Sequence, residues 1–271
     1  RSRHLGTCRE ELLSPPALQI RTDPSRDAPA PQTRWCLFLD VDGTLLEIAP
    51  TPDAVQVEDS LKKLLLLVRD ALDGAIALVS GRSLEQLDEL FAPERWPAAG
   101  LHGLERRGAD EQVRYAGPHA AALADARLAF ADIARRSPGT LFEDKGRSLA
   151  LHYRAVPGLE PALRREVQAI AARLGSEYHV LEGNRVFEVK PIAATKADAI
   201  RAFLTEPPFA GRRPMFIGDD ITDLDGFAAV ERAGGISVAV GDRVQALSRV
   251  ASPRDVRALL ADLAEHREGA Q

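Results

Sequence analysis

The sequence predicts an α/β fold in which a doubly wound, parallel-sheet (Rossmann-like) core is interrupted by an inserted α+β unit. Three observations carry this expectation. Short apolar runs alternate with helical patterns from Trp35 to Gly100, and again from Pro191 onward. That is the order of a parallel sheet with right-handed crossovers. Between the two stretches the rhythm changes to helix–strand–strand, twice over, which suits a separate unit of roughly 85 residues with an antiparallel sheet. Finally, several apolar runs stop abruptly in Asp, Ser, Thr and Gly. In open α/β sheets, the carboxyl ends of the strands border the crevice where ligands bind.

Residues 1–33 hold Pro15, Pro16, Pro24, Pro29 and Pro31 among polar side chains, and are expected to form a loosely attached extension. Trp35–Leu39 is too short an apolar run for a helix and reads as a buried strand. Pro50 and Pro52 break the path. A helix is expected over 59–72, closed by Asp73-Gly74, then a second buried strand over 75–79. Ser83, with Gln86 three residues later, has the capping-box signature of the next helix. A third strand is expected over 96–100. The insert reads as a helix (119–136), strands 140–144 and 148–154, a helix (160–174), and strands 178–181 and 186–190. From Pro191 the core pattern resumes: a helix from Lys196, a strand over 214–217, a helix capped by Asp220, a strand over 236–240 and a C-terminal helix. The domain reading is an extension (1–33), a core (34–106 and 191–271) and a cap (107–190).

Composition narrows the class. The 271 residues are 45% hydrophobic and 28% charged, as in a soluble globular protein. A net charge of −5, with Lys and Arg scattered, gives no footprint for nucleic acid. No apolar run reaches membrane-spanning length, and no secretory signal is visible. Cys8 and Cys36 suggest no disulfide framework, so a reducing cytoplasm is the expected compartment. The expected partner is a small molecule, and the expected state a monomer.

The stretch Leu39-Asp40-Val41-Asp42-Gly43-Thr44 carries the chemistry. Asp-x-Asp-Gly is a turn former by composition. Yet Asp40 and Asp42 could both face the crevice, and crowded carboxylates call for a hard cation such as Mg²⁺. Three further signals fall in comparable places: Ser80-Gly81-Arg82, Lys196, and Gly218-Asp219-Asp220-x-x-Asp223. Carboxylates for a metal, together with Thr44, Ser80 and Lys196 as donors for an anion, are what stabilising a transferring phosphoryl group requires.

In this order the four signals resemble the haloacid dehalogenase superfamily of phosphatases, whose pattern is D-x-D-x-T, then Ser or Thr, then Lys, then G-D-x-x-x-D. The resemblance implies that Asp40 is the nucleophile, forming an aspartyl-phosphate, and that Asp42 is the general acid and base. It implies that Mg²⁺ sits between Asp40, the Asp42 carbonyl and Asp219, supported by Asp223, while Thr44, Ser80 and Lys196 hold the phosphate.

The insert adds specificity. Strand alternation puts Glu143 and Lys145 on one face, and likewise His152 and Arg154 opposite Leu149, Leu151 and Tyr153. Mixed carboxylates and cations suit a polyhydroxylated ligand, because sugar hydroxyls both donate and accept; a solvated sheet face with ion pairs is the plainer alternative, and is the reading for Asp144 and Lys190. Three segments, Gly-Leu-His-Gly-x-Glu at 100–105, Glu143 to Arg154 and Val186 to Pro191, are similar to the trehalose-6-phosphate phosphatase family. That similarity implies that Glu143, Lys145, Arg154 and Glu188 read the sugar. Arg82, two residues after Ser80, is placed either to reach substrate or to form an ion pair; His102 is placed with the substrate-binding residues, with bracing of the hinge as the alternative for it and for Glu105. His119, His179 and His266 have no metal-ligand spacing. The expected activity is Mg²⁺-dependent hydrolysis of trehalose 6-phosphate. Its rivals are the same chemistry on sucrose phosphate or mannosylglycerate phosphate, and a non-catalytic sugar-phosphate sensor.

Overall fold

The computed structural model describes residues 34–48, 55–118 and 120–265; the Pro-rich extension, His119 and His266 lie outside the described residues. The centre of the molecule is β1 (Trp35–Leu39), whose last four residues are buried. It pairs in parallel with β2 (Ile76–Val79) on one side and β10 (Arg213–Gly218) on the other. Beyond β2 lies β3 (Ala98–Gly100), and beyond β10 lie β11 (Ile236–Val240) and β12 (Ser248–Val250), all parallel. The chain therefore leaves β1 toward one edge and returns on its other flank. Such a switch point opens a crevice at the strand's carboxyl end.

The helices have legible causes. α1 (Asp59–Ala71) buries Leu61, Leu65 and Val68, spaced along one stripe, and packs on α7 (Pro253–Glu265). α2 (Leu84–Phe91) starts at the Ser83–Gln86 capping box that its sequence predicts. α5 (Lys196–Phe203) has a second box, Thr195 with Asp198, and packs on α6 (Leu224–Arg232). Asp220 does cap the turn that leads into α6.

The core sheet extends further than the sequence suggests. β4 (Glu105–Arg107) adds antiparallel to β3 and β5 (Val113–Tyr115) antiparallel to β4, giving eight strands among the described residues. Ending the core at residue 106 is therefore too early, since the sheet runs on to Tyr115. Glu-Arg-Arg does not look like a buried strand. Arg107 is nonetheless only 2% exposed, because its guanidinium is clamped by both Asp88 oxygens and the Trp96 carbonyl.

The second sheet is antiparallel, in the order β6 (Leu141–Asp144), β7 (Leu149–His152), β9 (Val186–Pro191), β8 (Tyr178–Gly183). One face packs on α3 (Ala124–Arg136) and α4 (Glu160–Leu174). Leu149, Leu151, Tyr153, Phe187 and Val189 meet Phe130, Ile133, Leu163, Val167 and Ile170 in a core of their own. The other face is polar and turns toward the carboxyl end of β1, as the cavity described below requires.

Candidate active site

Register places the first carboxylates. Leu39 lies beside Ile217, and the Asp40 amide donates to the Ile217 carbonyl at 3.0 Å, so Asp40 emerges next to Gly218-Asp219. Gly43 then turns with φ +86°, and any Cβ there would collide with the Asp219 carboxylate. The glycine thus serves both conformation and space. Lys196, the first residue of α5, reaches in from below: its Nζ donates to Asp40 Oδ1 at 2.7 Å and to Asp223 Oδ1 at 2.6 Å. Asp223 Oδ2 accepts the Asp219 and Asp220 amides, each at 3.0 Å.

The charge balance is uneven. Asp40, Asp219 and Asp223 bring carboxylate oxygens within 4.8 Å of one another, all buried. Burial pushes the Asp40 carboxyl well up, Asp223 and Asp219 push it further, and Lys196 opposes only in part. Asp219 is pushed up to about 7, chiefly by burial and next by Asp223. Asp219 Oδ1 is buried without a hydrogen-bond partner, as is Thr44 Oγ1. A hard divalent cation would supply the missing charge and the missing partner together. Asp40 and Asp219 have oxygens to offer it. Both oxygens of Asp223 are already engaged, which suits a bracing role.

The Ser80-Gly81-Arg82 loop forms the next wall. Ser80 Oγ accepts from the Arg82 amide at 3.2 Å. Arg82 turns onto Asp42 as a fork, Nε to Oδ2 and Nη2 to Oδ1, both at 2.7 Å. Of the two readings the sequence leaves open for this arginine, substrate or an ion pair, the structure shows the ion pair. His102 stands over Gly81, and its Nε2 lies 3.7 Å from Glu188 Oε2. Burial pulls the imidazole down, against the pull of Glu188.

The polar face of the second sheet closes the cavity. Glu143, Lys145, His152, Arg154 and Glu188 line it together with Asp40, Asp42, Ser80, Arg82, His102, Lys196 and Asp219. Glu143 accepts from Gln86 Nε2 at 2.7 Å and meets His152 Nε2 at 2.8 Å. Burial alone would raise its carboxyl, but His152, Lys145 and Gln86 outweigh that and hold it at about 2. Lys145 donates to Glu188 Oε2 and to the Gly81 carbonyl, both at 3.1 Å. Glu188 is held well below the usual carboxylate range: burial would raise it, but Lys145 and His102 prevail.

Residues 38–258 match the trehalose-phosphatase family. The chain belongs to that family. A probable trehalose-phosphate phosphatase of Sinorhizobium fredii is 40% identical over 264 residues, covering 95% of this chain and 98% of that protein. The trehalose-6-phosphate phosphatase of Escherichia coli is 42% identical over 236 residues, covering 87% of this chain and 88% of its own. A solved trehalose-6-phosphate phosphatase related protein shares the fold, with a TM-score of 0.73 at 23% identity, covering 87% of this chain and 100% of that one. Membership of the trehalose-phosphatase family makes the chain a phosphoric monoester hydrolase.

Several side chains at the site escape a reading of motifs. Arg243, after β11, pairs with Asp219 at 3.3 Å and Asp220 at 2.9 Å. Its Val240-Gly-Asp-Arg243 setting is another strand end, the one signal that could have flagged it. Gln86 was visible only as a helix cap. Lys190 is not on a solvated face: it is 3% exposed, and its Nζ donates to the Ala194 carbonyl at 2.9 Å. Asp144 is paired with Arg127 at the surface. Glu105 accepts the Leu84 amide at 3.0 Å, capping α2 from outside. His179 is an exposed position on β8.

Proposed function

We propose that the chain hydrolyses trehalose 6-phosphate to trehalose and phosphate, in two steps through an aspartyl-phosphate on Asp40. The observation that carries this reading is a single cavity: nucleophile, lysine and acidic cluster on one wall, sugar-reading side chains on the other. Lys196 fixes the Asp40 carboxylate and balances part of its charge. The free oxygen of Asp40 attacks phosphorus, and the bond from phosphorus to the sugar oxygen breaks. Asp42 gives that oxygen its proton, then takes one from the water that attacks the phosphorylated aspartate. Thr44 and Ser80 hydroxyls hold the phosphoryl oxygens.

Mg²⁺ is the cation we assign to Asp40, Asp219 and the Asp42 carbonyl, with Asp223 bracing Lys196 beside them. When bound it would neutralise charge on the phosphoryl oxygens. Glu143, Lys145, Arg154 and Glu188 would grip hydroxyls remote from phosphorus and convert that binding into specificity.

The test is phosphate release from trehalose 6-phosphate, with and without Mg²⁺, beside sucrose and mannosylglycerate phosphates. Preference for trehalose 6-phosphate that vanishes with the metal is the expected result; equal rates on all three would remove the substrate assignment. Glu188→Ala should cost the sugar phosphate at least ~10-fold more than a small aryl phosphate. Equal losses would mean Glu188 does not read the sugar.

A further inference from the structure

We infer that Arg82 is a positioning residue for the acid–base carboxylate, Asp42, rather than a ligand of substrate. The inference rests on the proposed role of Asp42. The guanidinium and carboxylate meet in a fork with two 2.7 Å bonds, the geometry that fixes a carboxylate's plane as well as its place. Each carboxylate oxygen keeps a second lone pair. Asp42 can therefore still accept or deliver a proton while held.

The holder is itself held. The Arg82 side chain is 10% exposed, against 38% for Asp42, so the buried partner anchors the one facing the cavity. Its backbone is gripped at both ends of the loop: the Leu101 amide donates to the Arg82 carbonyl at 2.8 Å, and the His102 amide to the Ser80 carbonyl at 2.9 Å. The two donors adopt left-handed backbone, Leu101 at φ +49° and His102 at φ +56°, which is uncommon for any residue but glycine and more costly for leucine than for histidine. Gly100 beside them has no room for a Cβ, which would meet the Arg82 carbonyl at 2.9 Å. Backbone strain is thus concentrated on the segment that fixes the arginine. An arginine needed only as a diffuse positive charge would not require this.

The consequence is specific to leaving-group protonation, since Asp42 matters most where the departing oxygen is a poor leaving group. The test is a series of sugar-free phosphate monoesters, from aryl to alkyl, turned over by the wild type, Arg82→Gln, Arg82→Lys, Asp42→Asn and the Arg82→Gln/Asp42→Asn double variant. We expect Arg82→Gln to lose kcat roughly 10-fold more on alkyl than on p-nitrophenyl phosphate, with KM little changed. Arg82→Lys, which keeps the charge but not the fork, should not restore the alkyl rates. The double variant should lose no more than Asp42→Asn alone, because coupled groups are not additive.

Losses uniform across the series, or full rescue by lysine, would overturn the inference. Thermal melts of each variant separate misfolding from mispositioning, and the lysine variant stands if the glutamine variant melts early. Because the esters carry no sugar, the result does not depend on the cap. A wild type that releases no phosphate from any ester, or from trehalose 6-phosphate, sinks the proposed function and this inference with it. An active wild type whose Arg82 variants keep its leaving-group dependence sinks the inference alone.

Discussion

Asp40 sits under two conflicting demands. The proposed attack requires it ionised, yet burial pushes its carboxyl up and the carboxylates of Asp223 and Asp219 push it further, with Lys196 opposing them in part. The residue is placed for chemistry at the expense of stability, as active sites commonly are. Asp40→Asn should therefore cut turnover at least roughly 10³-fold. In metal-free protein the same change should raise the melting temperature, by about 2–4 °C for each kcal/mol of repulsion relieved. A lower melting temperature would show that the Lys196 pairing outweighs the repulsion. Arg82 belongs to the same scale: its fork on Asp42 makes the orientation of one carboxylate a property of another side chain.

At the scale of elements, the proposed sugar-reading surface depends on strand register. Glu143 on β6 pairs across to Ala150 on β7, and Ala150 pairs across to Glu188 on β9. Two carboxylates thus flank one methyl group, and Lys145 reaches Glu188 over it. Ala150 is fully buried beneath them. Enlarging it must lift the acidic pair, and overpacking of this kind costs about 1–3 kcal/mol. Ala150→Val should lower kcat/KM for trehalose 6-phosphate while sparing a small aryl phosphate. A proportional loss on both substrates would show that the damage had spread to the core wall. The start of α2 is bound into the same surface, since Gln86 accepts the Ser83 amide and donates to Glu143.

For the whole molecule, polar contacts between the two sheets' units include Gln86 to Glu143, Lys145 to the Gly81 carbonyl and His102 to Glu188. Their strength follows pH with a definite sign. Glu143 lies near 4.5 when unfolded and is held at about 2 in the fold. Its contribution is complete above about pH 4.5 and is lost as pH falls toward 2. The difference in melting temperature between wild type and Glu143→Gln should shrink steadily as pH falls from about 4.5 toward 2. A difference that grows on acidification would refute the assignment. The proposed Mg²⁺ would act at this scale too. If it binds the folded acidic cluster, adding it to chelator-treated protein should raise the melting temperature in a concentration-dependent way. No shift at millimolar metal would count against a site there.

The sequence by itself determined the order of elements and the family to which the chain belongs. Alternation of apolar runs and helical patterns gave the doubly wound core, because the periodicity of burial is written locally. Strand ends rich in Asp, Ser and Gly marked Asp40, Ser80 and Asp219, because in an open α/β sheet the carboxyl ends of the strands border the crevice. Tertiary structure alone decided which charges meet. No pattern in the chain couples Arg82 to Asp42, Lys196 to Asp223, or Arg107 to Asp88, since ion pairing depends on distance in space and not along the sequence. For the same reason β4 and β5 were hidden: three residues are too few for a period, and Glu-Arg-Arg is buried only because its partners come from elsewhere. Lys190 reads as solvated until the fold covers it. Residue type fixes what a side chain can do; the packing of distant segments fixes what it faces.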